Sequence, residues 1–289
     1  MTNPPPLVST DDRTRYARDG AVVLRGRFTD WVEPLREAIE RNLAAPGPLG
    51  TTYGKAEHKG SFRGDRYMWT FDAGFRRYAL EGPGAAIAAE LMQASKVNLF
   101  YDHLLVKEPG AEAPTPWHQD LPYWCAEGGH ICSIWVALDP VSRASGMLAF
   151  LRGSHLWKRQ FSAPDFKFRS TFSDELETLP DIDAHPEAYD ILTWDALDPG
   201  DAIAFHALAV HGASGDGQAA QRRRAISTRW LGDGVTYREH PNVTRPIRDP
   251  GLRHGDPMDC ELFPQVWPAA PARDPLQPAS PPPHQEILR

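Results

Sequence analysis

The chain reads as a mainly β fold, an antiparallel jelly-roll or barrel with helices flanking it, on two observations. From Lys96 onward, short runs of branched and aromatic residues recur between Gly, Pro and Asp, at 97–106, 131–138, 147–151, 202–205 and 225–231. Such runs favour strands, because these side chains fit a pleated, half-buried surface. No helical pattern separates one run from the next, which argues against a doubly wound parallel sheet with its crossover helices. Helical spacing is confined to the first third of the chain.

In chain order, Thr10, Asp11 and Asp12 form an N-cap region for a short helix that closes at Gly20, and Ala21–Leu24 reads as an apolar strand. Val32, Leu35, Ile39 and Leu43 repeat at helical spacing, and the alanine- and leucine-rich stretch 84–93 predicts a second helix. Residues 161–198 carry scattered acids and prolines with weak periodicity between two strand-rich blocks, the pattern of a long loop or lid. Past Phe263, Pro264, Pro268, Pro271, Pro275, Pro278 and Pro281 to Pro283 exclude helix and internal strand. The expected organisation is one domain over residues 1–263 and a proline-rich C-terminal tail, an extended arm, over 264–289.

A length of 289 residues is enough for one large domain with a well-buried core. The 38 acidic residues outnumber the 31 basic ones, and a formal net charge of -7 argues against a surface that recruits nucleic acid or anionic lipid. Cys125, Cys132 and Cys260 are too few and too scattered for a disulfide framework or a zinc ribbon. Residues 1–10 hold no apolar stretch, and no segment approaches the roughly 18 consecutive apolar residues of a membrane span. A cytoplasmic protein acting on a small molecule is the expectation.

The chemistry starts at Trp117-His118-Gln119-Asp120. On a strand or at its end, residues two apart point to one side, so His118 and Asp120 can grip one ion while Gln119 faces away. A lone His-x-Asp is a weak signal. With His211 it becomes two imidazoles and one carboxylate, the facial triad of a non-haem iron(II) oxygenase, which leaves the opposite face of the octahedron open. Gly200-Asp201 feeds the strand before His211, and Gly212 keeps a side chain away from the open coordination positions. His206 is the competitor, better suited to orienting a ligand by hydrogen bonding. Zinc accepts the same ligands, so a cupin-like metal-binding protein or an isomerase without redox chemistry is the alternative.

Downstream lies Arg222-Arg223-Arg224-Ala225-Ile226-Ser227-Thr228-Arg229-Trp230. Alternation puts Arg223, Ala225, Ser227 and Arg229 on one strand face, where small side chains leave room for a ligand. An arginine there would hold a dicarboxylate by a bidentate pair. Arg223 is the choice and Arg222 the alternative. Trp69, Trp117, Tyr123 and Trp124 either line a pocket or pack a core, Lys107 either meets a carboxylate or sits on a solvated edge, and Arg66 and Arg229 are candidates for an anionic group of the substrate.

These motifs in this order resemble the phytanoyl-CoA dioxygenase family of iron(II)- and 2-oxoglutarate-dependent oxygenases, from Asp19-Gly20 to Trp230-Leu231-Gly232-Asp233. The likeness is strongest at Lys107-Glu108-Pro109-Gly110, from Thr115 to Trp124, at Gly153-Ser154-His155, at Gly200-Asp201 and at His211-Gly212. It implies a double-stranded β-helix of the jelly-roll, cupin-like kind, with iron(II) held by His118, Asp120 and His211. It also implies 2-oxoglutarate anchored by Arg223, with Trp135 and His103 close to that cosubstrate. Dioxygen would complete the reagents, giving succinate, carbon dioxide and a hydroxylated aliphatic C–H of a small-molecule metabolite. Related halogenases lack the carboxylate that Asp120 supplies, so its presence implies hydroxylation.

Overall fold

The computed structural model describes residues 6–53, 60–162, 176–213, 220–240 and 243–269. Helix α1 (Thr10–Asp19) is capped one residue earlier than expected, by Ser9. The Ser9 hydroxyl accepts from the Asp12 N–H at 3.1 Å, and the Asp12 carboxylate accepts from the Ser9 N–H at 3.1 Å, a reciprocal box that satisfies two otherwise orphaned donors. Gly20 ends the helix at φ 84°, and a Cβ there would come within 2.6 Å of His155 Nδ1, so both conformation and space require glycine.

Helix α2 (Val32–Ala44) buries the stripe Val32, Leu35 and Ile39 as its spacing predicts. Helix α3 (Ala73–Glu81) was not anticipated, since it is short and three of its residues are charged; the Asp72 carboxylate starts it by accepting from the Gly74 and Phe75 N–H groups. Helix α4 (Gly84–Met92) is buried almost all round.

The strands in chain order are β1 (Ala21–Leu24), β2 (Thr51–Tyr53), β3 (Phe62–Arg66), β4 (Val97–Lys107), β5 (Thr115–His118), β6 (Ile131–Ala137), β7 (Leu148–Leu151), β8 (Ile191–Leu192), β9 (Ala202–His206), β10 (His211–Ala213), β11 (Arg223–Leu231) and β12 (Gln265–Trp267). An eight-stranded sheet runs β1-β9-β6-β11-β4-β3-β2, with β12 beside β4, and a four-stranded sheet runs β8-β7-β10-β5. Every pairing in the two is antiparallel.

Period-two alternation decides which residues face which layer. Along β6, Ile134 and Val136 join the helix-side core with Tyr16, Leu35, Ile39 and Ile87, whereas Trp135 and Ala137 turn inward. There they meet Leu148 and Phe150 of the smaller sheet, with Ile203 and Phe205 of β9. Two antiparallel sheets closed on one another, with helices on the outer face of the larger, make the double-stranded β-helix that the sequence predicts.

Three stretches go beyond expectation. The β2–β3 hairpin extends the larger sheet, although Phe62-Arg63-Gly64-Asp65-Arg66 carries too much charge and a glycine to read as a strand. The expected arm begins with β12, whose Gln265 and Trp267 pair with Asn98 and Val97; Pro264 and Pro268 flank this strand and remove none of its N–H groups. Residues 270–289 lie outside the described residues. Within 161–198, Phe161–Ser162 pairs with Glu177–Thr178 and β8 pairs with β7, so this segment carries short strands of its own; residues 163–175 lie outside the described residues. No helix among the described residues is long and apolar enough to cross a membrane.

Candidate active site

Antiparallel pairing of β5 with β10 sets His118 directly opposite His211, with ring centroids 4.2 Å apart. Asp120 follows just past the end of β5, and one ligand atom from each of the three lies within 4.8 Å of the others, all buried. Backbone carbonyls aim both rings: His118 Nδ1 donates to Pro116 O at 2.7 Å, and His211 Nδ1 donates to Ala209 O at 2.9 Å. A carbonyl only accepts, so Nδ1 carries a proton in each ring and Nε2 is the atom left to ligate a metal. Phe150 stacks on His211 at 5.5 Å, and Phe205 packs against the same ring at 4.7 Å.

Asp120 is steered by neighbours of opposite character. Burial alone would raise its carboxyl, but the nearby His118, Arg229 and His211 outweigh that and hold it well below the usual carboxylate range. Ser133 Oγ donates to Asp120 Oδ2 at 3.2 Å, and Arg229 Nη2 stands 3.8 Å from the same oxygen. Burial, followed by His118, pushes His211 down to about 3. An ionised Asp120 and a neutral His211 are the protonation states that a divalent metal requires of its ligands. Gln119 turns away as expected: its amide nitrogen donates to Leu208 O and Arg159 O, and its carbonyl accepts from Phe161 N–H.

The triad opens into a cavity of about 320 Å³, at the small end of ligand pockets. Arg223, Trp135 and His103 line the same cavity. In β11 and its partners Ser227 lies opposite both Trp135 and His103, so one face of the larger sheet presents all of them. The Arg223 guanidinium lies 5.4 Å from the Trp135 ring centre, and burial lowers it to about 10, so it stays a cation near neutral pH. Arg223 Nε, Trp135 Nε1 and Ser227 Oγ are buried with no hydrogen-bond partner among the described residues. Unsatisfied buried donors cost about 1–3 kcal/mol each, so their presence around one cavity fits an acceptor-rich ligand such as a carboxylate.

Arg222 faces the other way. It is tied to Glu108 at 2.8 Å and to Glu40 at 3.0 Å, while Arg224 is tied to Asp139 and Glu40. His103 shares a 2.7 Å hydrogen bond with the Tyr53 hydroxyl. Burial, reinforced by Arg229 and Arg66, pushes this imidazole well below its ordinary range, so it is neutral.

The structure decides between open alternatives for the tryptophans and corrects the readings of Lys107 and His206. Tyr123 and Trp124 line the cavity, but Trp69 packs in the helix-side core and Trp117 belongs to a separate apolar cluster, its indole N–H donating to Asp183. Lys107 is buried above the Phe62 ring rather than solvated, and it does not line the cavity. His206 orients no triad member; it accepts from Leu208 N–H and bonds Gly129 O, organising the turn between β9 and β10. The described parts of the stretch expected as a lid contribute no residue to the cavity.

Gly212 also acts differently from expectation. Its absent Cβ would press on Thr115 O at 3.1 Å and Trp117 N at 3.3 Å, in the neighbouring strand, rather than on the coordination face. It permits the close approach of β10 to β5 that sets His118 against His211. Gly212→Ala is therefore expected to cost about 1–3 kcal/mol of stability through overpacking, read as a lower thermal midpoint. An unchanged midpoint would show that the two strands part without penalty.

Residues not foreseen as site residues include Tyr53, Phe62 and Tyr101. The first two sit on the unanticipated hairpin, and Tyr101 gave no signal beyond its place on β4 two residues before His103. Ser227 was visible as one of the small residues on the Arg223 face.

The profile of the phytanoyl-CoA dioxygenase family matches residues 16–225, most of the chain. The chain belongs to that family. As a phytanoyl-CoA dioxygenase family member it is an iron(II)- and 2-oxoglutarate-dependent oxygenase. Among curated relatives, L-proline trans-4-hydroxylase of Streptomyces griseoviridis is 26% identical over 87% of this chain and 96% of its own. The peroxisomal phytanoyl-CoA dioxygenase of Homo sapiens is 27% identical over 80% of this chain and 70% of its own. Among solved structures, the epimerase SnoN from nogalamycin biosynthesis, in complex with Fe3+, alpha ketoglutarate and nogalamycin RO, superposes with a TM-score of 0.69 at 25% identity, over 89% of this chain and 97% of that one.

Proposed function

We propose that His118, Asp120 and His211 hold the iron of this oxygenase, that Arg223 anchors the distal carboxylate of 2-oxoglutarate, and that the product is a hydroxylated small molecule. The observation that carries this reading is the shared cavity: a buried metal-type donor set and a buried arginine whose Nε has no partner among the described residues open into the same space of about 320 Å³. Bound there, iron(II) supplies coordination of the keto acid end of 2-oxoglutarate and activation of dioxygen, with succinate and carbon dioxide released.

The chain does the positioning. Arg223 binds the carboxylate through its planar fork while the Trp135 ring lies against the guanidinium. Ser227 Oγ and Trp135 Nε1 are further donors for that carboxylate. His103, neutral and bonded to Tyr53, adds no charge to the cosubstrate wall. Asp120 would supply the carboxylate that related halogenases lack, which favours hydroxylation. A reducing cytoplasm suits the three thiols, since Cys125, Cys132 and Cys260 are all unpaired.

Anaerobic addition of iron(II) and 2-oxoglutarate together should give a weak visible metal-to-ligand charge-transfer band and raise the thermal midpoint. A chain of the alternative kind, a cupin-like metal protein or isomerase, would show neither response to 2-oxoglutarate. Absence of both would remove the oxygenase reading of this site.

A further inference from the structure

The cavity is far more basic than the surface around it. Arg66, Arg223 and Arg229 line it against one carboxylate, Asp120, in a chain of net charge -7. The arginines on neighbouring outer faces are all paired: Arg63 with Glu108, Arg222 with Glu40 and Glu108, Arg224 with Glu40 and Asp139. Arg66 is not. It lies at the end of β3 opposite His103, and among the described residues its guanidinium has no ion-pair or hydrogen-bond partner. The adjacent Asp65 carboxylate is used elsewhere, accepting from Asn42 and from the Gly47 and Arg66 backbone N–H groups.

Arg229 is 5% exposed and held from two sides, its guanidinium carbon 5.0 Å from the Tyr101 ring centre and 6.0 Å from that of Trp124. One Nη donates to Ser227 O, the other stands near Asp120, and Nε is buried without a partner among the described residues. The Tyr101 hydroxyl accepts from Trp124 Nε1 at 2.8 Å, and its own proton has no acceptor among the described residues. Burial raises the Tyr101 phenol, so that proton stays in place. Asp120 committed to a metal, and a dianionic cosubstrate on Arg223, still leave Arg66 and Arg229 without a full counter-charge. A buried cation such as Arg229 is stabilised when a ligand completes it, and the half-buried Arg66 faces the same cavity.

We propose that the primary substrate is a small organic anion whose carboxylate or phosphate head is held by Arg66 and Arg229 with the Tyr101 hydroxyl, beside the triad. This rests on the oxygenase reading for its chemistry, but the anion site itself stands on the arginines. Phe62, Leu105, Leu148 and Phe205 give the cavity apolar wall that suits a hydrocarbon body. The cavity volume limits that body to metabolite size.

The test is calorimetric titration of the whole protein with matched probes: 3-phenylpropionic acid, cyclohexanecarboxylic acid and L-proline, each against its primary amide, and 2-phenylethyl phosphate as the phosphate arm. Each is titrated with and without saturating 2-oxoglutarate. At least one acid or the phosphate should bind roughly ten- to a hundredfold more tightly than its neutral counterpart, 2-phenylethanol for the phosphate. Whichever head wins identifies the anion. Arg66→Gln should erase that preference, and Arg66→Lys should retain part of it, while both leave the 2-oxoglutarate affinity in place.

Equal binding of charged and neutral probes, no binding of any probe at millimolar concentration, or a preference that survives Arg66→Gln would overturn the proposal. If 2-oxoglutarate fails to bind while the anion preference persists, the oxygenase reading of the site falls and the anion site stands.

Discussion

Asp120→Ala should lower succinate formation by more than about a hundredfold, beyond the 10–100-fold typical of residues that merely orient metal ligands. Asp120 is the single anion among the three donors, and His118 and His211 alone would hold iron(II) as a neutral pair. The same change strips Arg229 of the carboxylate 3.8 Å away and leaves a buried cation with a backbone carbonyl and two aromatic faces for company. Iron content by metal analysis, measured beside turnover and the thermal midpoint, separates lost coordination from lost folding. A variant that retained both iron and turnover would remove Asp120 from the ligand set.

The second large effect belongs to Arg223. Arg223→Ala should raise the 2-oxoglutarate KM by roughly 2 to 5 kcal/mol in binding terms, at about 1.4 kcal/mol per tenfold, with a smaller effect on kcat at saturation. Arg222→Ala is the matched control. Arg222 is paired to Glu40 and Glu108 at a partly exposed site, so its loss should change KM little and stability by no more than about 1 kcal/mol. An unaltered KM in the Arg223 variant, or a large change in the Arg222 variant, would move the anchor.

The triad was legible because it depends on two features that sequence displays directly: a spacing of two at a strand end, and a histidine leading into a glycine. Arg223 was legible because alternation along nine strand residues assigns faces without knowledge of any partner strand. Trp135 and His103 came only with the family resemblance, since nothing in their own neighbourhoods distinguishes them from core residues. Tyr53 and Phe62 were hidden for a different reason. They lie on a hairpin whose strands are short and charged, and whose strand character comes from pairing with β4 rather than from local propensity. Gly212 shows that a correct residue can carry a wrong reason, because the contact it relieves is with β5, more than ninety residues earlier in sequence.

The two histidines stand on the smaller sheet, whereas Arg223, Trp135 and His103 stand on the larger one, with the Phe150, Phe205 and Trp135 cluster between them. The candidate site is thus a seam, and neither sheet carries it alone. Partial opening along that seam would dismantle the site while most backbone pairing survived, so loss of activity on warming should precede loss of secondary structure. A ligand gripped from both sides acts as a brace on the seam, and its stabilisation grows with the logarithm of its concentration. For an oxygenase with its cosubstrate at this seam, readiness to react would follow the supply of that cosubstrate: the barrel would be held shut most firmly when 2-oxoglutarate is abundant.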